Sequence, residues 1–214
     1  MNRTSARPAG PRTALMAVAD TAAAASHAVD EGADLIDLTG AVPAEVAAFR
    51  QAHPGVPVCA DAGEDGGGDP ADLTRDPAVA AASGARLICA RPEEAARSGL
   101  PPERLLIETS PAGLIAALAG GYPVLVDLPG TGARPGGTSR DGGASPDGGT
   151  SPDQAAIPGD GPPGAAALAV AALSGWLGAA VVRTRHPQPV RRALDLTDSV
   201  RGVRPPARTV RGLA

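Results

Sequence analysis

Residues 14–40 read ALMAVADTAAAASHAVDEGADLIDLTG: two short apolar runs, each closed by an acid, with an Ala-rich stretch between them. The first run, 15–19, gives way to Asp20, and the second, 35–36, to Asp37. Short apolar runs bounded in this way read as buried strands, and the stretch 21–31 supplies the crossover helix that two parallel strands require. The unit then recurs. Runs at 56–60, 86–90, 105–107, 124–126 and 179–182 end on Asp61, Arg91, Glu108, Asp127 and Arg183. Seven such runs separated by helix-like or loop segments predict an alternating β/α chain with a parallel sheet. In that architecture the carboxyl ends of the strands share one face, where ligands bind, so the pattern gathers one charged group per strand in one place. An acid after a strand also caps the helix that follows, so no single Asp is diagnostic.

At 214 residues the chain can bury one substantial core. It is 43% hydrophobic, but Ala supplies much of that and the only aromatics are Phe49, Tyr122 and Trp176. An Ala-rich core buries less area per residue, so modest stability is expected. All 19 basic residues are Arg. Without Lys, neither a Schiff base nor a lysine–phosphate contact can form. A net charge of -4 gives no support for nucleic-acid binding. Cys59 and Cys89 fall within predicted strands at neither zinc nor redox spacing, and read as small core residues of a reducing compartment. No apolar stretch is long enough for a signal peptide or a membrane span, which predicts a soluble cytoplasmic protein without membrane partners.

Residues 1–13 are expected to form a disordered N-terminal tail; 14–128 and 165–202 form one domain. Between its two parts, 129–164 is an insertion rich in Gly, Pro, Ser and Asp. Within it, 136–153 are three tandem hexads, GGTSRD, GGASPD and GGTSPD, a composition that cannot offset the entropy of ordering. Residues 203–214 form a basic C-terminal tail. Helices are expected at 21–31, 43–53, 76–83, 92–98, 111–119, 165–177 and 187–200. The stretch 63–69, GEDGGGD, suits neither helix nor strand.

The segment 178–214, GAAVVRTRHPQPVRRALDLTDSVRGVRPPARTVRGLA, resembles the last strand, last helix and tail of actinobacterial members of the dihydropteroate synthase family. LMAVAD (15–20), AVDEGADLIDLTG (28–40), VPVCADA (56–62), GARLICA (84–90), PPERLLIE (101–108) and GYPVLVDL (121–128) look like earlier strands of that family in the right order. The resemblance implies a (βα)8 TIM barrel, here trimmed or distorted, with about seven recognisable strands. It also implies a place near folate biosynthesis. The family joins a hydroxymethyl-dihydropterin pyrophosphate to p-aminobenzoate, and its members often dimerise. Either a homodimer or a heterodimer with a true synthase is therefore implied.

Residue by residue, the resemblance makes Asp61 and Glu108 the pterin-binding candidates and Arg183, Arg185 and His186 the anion-binding candidates. Asp20 becomes the metal candidate. Several family features are missing. Asp20 stands where the family has an Asn-x-Thr-Pro-Asp-Ser-Phe loop, and the rest of that loop is absent. No strand is evident where the family's fourth ends in Asn-Asp; AspLeuThr at 72–74 is all that stands there. Glu108 replaces an Asp, LeuProGlyThrGly at 128–132 replaces a Ser-x-Lys, and the family's Arg-x-His becomes Arg183-Thr184-Arg185 with His186 displaced by one. Strand alternation would point Arg183 and Arg185 to the same side. Asp20, Asp37, Asp61, Glu108 and Asp127 at one mouth would repel unless an Arg or a weakly held hard cation such as Mg2+ intervened. The expected ligand is a pterin or a pyrophosphate-bearing small molecule. Each unmatched polar partner would cost about 1–3 kcal/mol, which points to a catalytically impaired homologue. The alternative is a shortened but active synthase.

Overall fold

In the computed structural model, described for residues 11–60, 72–75, 86–129 and 163–204, eight parallel strands close into a barrel in sequence order. They are β1 (Ala14–Val18), β2 (Leu35–Asp37), β3 (Val58–Cys59), β4 (Leu73–Thr74), β5 (Leu87–Ala90), β6 (Leu105–Thr109), β7 (Val124–Asp127) and β8 (Val181–Thr184). The strand that the sequence did not reveal is β4. Only two residues long, it bridges β3 and β5 through Cys59↔Leu73 and Leu73↔Leu87, so it joins the seven strands recognisable in the sequence and the barrel closes without distortion into an open sheet. The expected helix at 76–83, Asp61, and nearly all of the insertion and both tails lie outside the described residues.

Six α-helices are described: α1 (Ala22–Asp30), α2 (Pro43–Ala52), α3 (Pro92–Ser98), α4 (Leu114–Ala119), α5 (Ala165–Leu177) and α6 (Pro187–Val200). Their ends follow ordinary stop and start chemistry. Thr21 accepts the Ala24 N–H at the start of α1, Pro opens α2, α3 and α6, and Gly178 ends α5 in the left-handed region. Their apolar faces cover the outside of the barrel; Phe49 of α2, for example, is fully buried against Ile36 and Val58. None of the described helices is long and apolar enough to cross a membrane. Residues 12 and 13, assigned to the tail from sequence, are tied down: Thr13 donates to the Ala179 carbonyl at 2.9 Å and Arg12 lies 3.6 Å from Asp34.

The parallel register positions the interior. From Met16↔Leu35 it passes through Asp37↔Cys59, Leu73↔Leu87, Cys89↔Leu106, Glu108↔Leu125 and Leu125↔Val181 to Val181↔Ala14. Two-residue steps on β2, β5, β6 and β1 make the register climb about eight residues per circuit, the shear of a (βα)8 barrel. With that shear, inward side chains of alternate strands share a level. Leu35, Leu73, Leu106 and Val181 form one apolar level from the even strands. Met16, Cys59, Cys89 and Leu125 from the odd strands form the next. Above them, at the carboxyl ends, the even strands deliver Asp37, Arg75, Glu108 and Arg183.

Candidate functional site

These four side chains form a closed ring of alternating charge across the barrel mouth. Arg183 Nη2 lies 2.6 Å from Asp37 Oδ2, and its Nη1 lies 3.2 Å from Glu108 Oε1. Arg75 Nη2 lies 3.2 Å from the same Glu108 oxygen and 3.9 Å from Asp37 Oδ2. Each guanidinium thus sits between two carboxylates, the arrangement that lowers the Coulomb energy of four charges brought together. Asp127, at the end of β7, comes within 3.9 Å of Arg183. Counting it, two guanidinium groups face three carboxylates among the described residues.

The ring is built from strand ends. Asp37 closes β2, and its Oδ1 accepts the Thr39 N–H at 2.9 Å, which orients Oδ2 into the barrel. Arg183 is third in β8 and Glu108 fourth in β6, both on inward-facing positions. Arg75 directly follows β4. Asp37 and Arg183 are buried, with 1% and 6% of their side chains exposed, whereas Glu108 and Arg75 keep 25% and 34%. Burial opposes the charged form of Arg75, but the Glu108 and Asp37 carboxylates outweigh it and raise its pKa. Hydrogen bonding does not saturate the ring: the Nε atoms of Arg75 and Arg183 are buried without a partner, and Asp37 Oδ2 accepts no aligned hydrogen bond. Below, a hydrogen bond with Cys89, followed by burial, raises the Cys59 thiol well above its ordinary pKa. Both cysteines are free and buried, as small core residues would be.

Of the residues singled out from sequence, Glu108 and Arg183 come together in the mouth and Asp61 lies outside the described residues. Arg185 does not join Arg183. Strand β8 ends at Thr184, and Arg185 stands at the rim, 3.3 Å from Asp20. His186 caps the start of α6, and its backbone N–H is accepted by Thr184 Oγ1 at 3.0 Å. Among the described residues no three His, Cys, Asp or Glu groups are placed to hold a metal ion. Four of the five acids expected to do so are described and each is engaged by a guanidinium group, Asp20 by Arg185 and Asp37, Glu108 and Asp127 by Arg183, so these four do not fit Mg2+ as they stand. Arg75 is the residue that sequence reasoning missed. It is the charged end of an eighth strand, but a two-residue strand leaves no apolar run to announce it.

A closed eight-stranded barrel with its charged groups gathered at the carboxyl ends can be compared as a whole. Mycobacterium tuberculosis Rv1207 superposes with a TM-score of 0.60 at 24% identity, over 92% of this chain and 95% of that one. The dihydropteroate synthase of Yersinia pestis gives 0.60 at 16% identity, over 89% and 93%. The fold is that of the dihydropteroate synthases. The Coxiella burnetii dihydropteroate synthase, solved in complex with pteroic acid, gives a TM-score of 0.58 at 15% identity, over 89% and 93%. No family model matches the chain, and no curated protein sequence is similar to it. The likeness read from the strand segments therefore holds for the dihydropteroate synthase backbone, while the mouth has the composition described above.

Proposed function

We propose that this chain is a pterin-binding-type barrel linked to folate chemistry, with dihydropteroate synthase catalysis impaired. The observation that carries this reading is the engagement of Arg183 by Asp37, Glu108 and Asp127. Release of pyrophosphate needs positive groups that remain available as negative charge develops on the leaving oxygen. Arg183, which the resemblance assigns to the anion, is already matched by three carboxylates, with which a pyrophosphate would have to compete. Displacing Asp37 from Arg183 to admit it would leave a carboxylate with 1% exposure only Arg75, 3.9 Å away, among the described cations of the ring. The pterin half of the ligand meets a different situation. Glu108 is part-exposed and accepts hydrogen bonds from planar N–H donors, which is what the amino and imino groups of a pterin present.

Calorimetric titration with 6-hydroxymethylpterin and with hydroxymethyl-dihydropterin pyrophosphate, each with and without magnesium, tests this. The expected result is binding of the bare pterin, no gain from the pyrophosphate, and no product with p-aminobenzoate. Magnesium-dependent tightening by the pyrophosphate, with turnover, would establish the shortened active synthase instead. A folded protein that binds neither compound at millimolar concentration would sink both readings.

A further inference from the structure

Arg75 is the odd member of the ring. Arg183 is gripped by three carboxylates at 6% exposure, whereas Arg75 is a third exposed, follows a two-residue strand and leaves its buried Nε without a partner. Its weakest link, to Asp37, is 3.9 Å long. If Arg75 swings out, the other three members stay in place. Glu108 Oε1 keeps its 3.2 Å hydrogen bond from Arg183, and Asp37 keeps Arg183 at 2.6 Å. The ring can therefore open at one corner while the carboxylates that line the corner hold their positions.

What Arg75 presents to Glu108 is an Nη2 hydrogen-bond donor at the edge of a planar guanidinium. The 2-amino-4-oxopyrimidine edge of a pterin carries the same group in cyclic, acylated form, an exocyclic NH2 beside a ring N–H. We propose that Arg75 is an internal occupant of the ligand seat: its guanidinium lies on Glu108 and Asp37 where a planar 2-aminopyrimidine-type heterocycle pairs, and it has to leave before such a ligand binds. This rests on the pterin-class reading above and adds a specificity and autoinhibitory role for a residue outside the positions that the resemblance assigns. A tethered competitor lowers apparent affinity by the fraction of time it spends in the seat.

Arg75→Ala should therefore create a guanidinium-shaped vacancy. In a thermal-shift titration, guanidinium chloride in the millimolar range is expected to raise the Tm of Arg75→Ala saturably over matched sodium chloride. The wild type and Arg75→Met, which fills the volume without donors, should show no such rise. No saturable rise in Arg75→Ala, or an equal one in the wild type, overturns the proposal. In calorimetry, 6-hydroxymethylpterin should bind Arg75→Ala about ten-fold more tightly than wild type. Weaker binding overturns the proposal, because Arg75 would then be holding the ligand. Guanidinium binding to Arg75→Ala with no pterin binding to either protein would uphold the internal occupant and reject the pterin as its competitor.

Discussion

Two arginines of this barrel are almost equally buried and are surrounded alike, yet their neighbourhoods behave differently. Arg183 at the mouth, 5% exposed, faces Asp37, Glu108 and Asp127 at 2.6, 3.2 and 3.9 Å. Arg191 of α6, 6% exposed, faces Asp195, Asp34 and Asp198 at 2.9, 3.0 and 3.8 Å. Around Arg191 the contacts join separate parts of the chain. Its Nε donates to Asp195 and its Nη1 to Asp34, and Asp34 also accepts the Leu15 N–H at 2.8 Å. Arg12 and Arg204 converge on the same Asp195. The cluster thus clamps the start of β1, the turn before β2 and the end of the last helix. Arg183 has one aligned hydrogen bond, to Glu108, an orphaned Nε and a close but unaligned Asp37. Its ring joins strand ends that the barrel already holds. One cluster spends its charges on architecture, and the other keeps them near solvent at the face where barrels bind ligands.

The largest expected effect is therefore on the clamp. Arg191→Met should cost about 3–5 kcal/mol, because it leaves a buried Asp198 and two further acids without their shared cation. Urea unfolding measures this, and the folded fraction should keep the pterin affinity proposed for the mouth. Arg183→Met should cost less, about 2–3 kcal/mol, since water already reaches Glu108 and Asp127, and Arg75 stays within range of Asp37. It should also change ligand binding at the mouth. A loss from Arg183→Met equal to that from Arg191→Met would erase the distinction between the two clusters.

The fold was legible wherever a strand was long enough to make a run and a helix long enough to show its ends. Helices 165–177 and 187–200 agree with α5 and α6 to the residue, since Gly164, Gly178 and Pro187 mark three of their four ends. Strand β4 was hidden because Leu73 and Thr74 alone carry the ladder between two neighbours. The mouth was legible in proportion. Glu108 and Arg183 follow from the rule that an apolar run ends on a charge, and Arg75 obeys the same rule without a visible run. Arg185 misled because alternation along a strand says nothing once the strand has ended, and β8 ends at Thr184. Nothing local in the sequence pairs residue 191 with residue 34; that contact exists only because closing the barrel places α6 beside the turn before β2.

A smaller effect should come from Gly32, in that same turn. Its φ is +97°, and a Cβ there would lie 2.9 Å from Arg191 Cγ. Gly32→Ala should cost about 1–2 kcal/mol, from the left-handed backbone and from displacement of the Arg191 side chain. Thermal unfolding would measure it. The mouth should be untouched, so a change in pterin affinity in this variant would show that the two clusters communicate.

The smallest effect is a slope. Asp198 is fully buried in the clamp, and that burial raises its carboxyl pKa despite the opposing charges of Arg191 and Arg201. A carboxyl whose pKa is higher in the folded than in the unfolded chain binds its proton more tightly when folded. Its contribution favours folding at pH below the ordinary Asp range and is lost as pH rises through the folded pKa. Asp198→Asn removes that titration. The stability of the variant minus that of the wild type should therefore increase as pH rises from just above the ordinary Asp range, then level off once Asp198 is ionised. Tm measured against pH for both proteins gives the difference directly. A difference that fell over the same window would mean that the two guanidinium groups outweigh burial, and that the clamp holds Asp198 as a fully compensated ion.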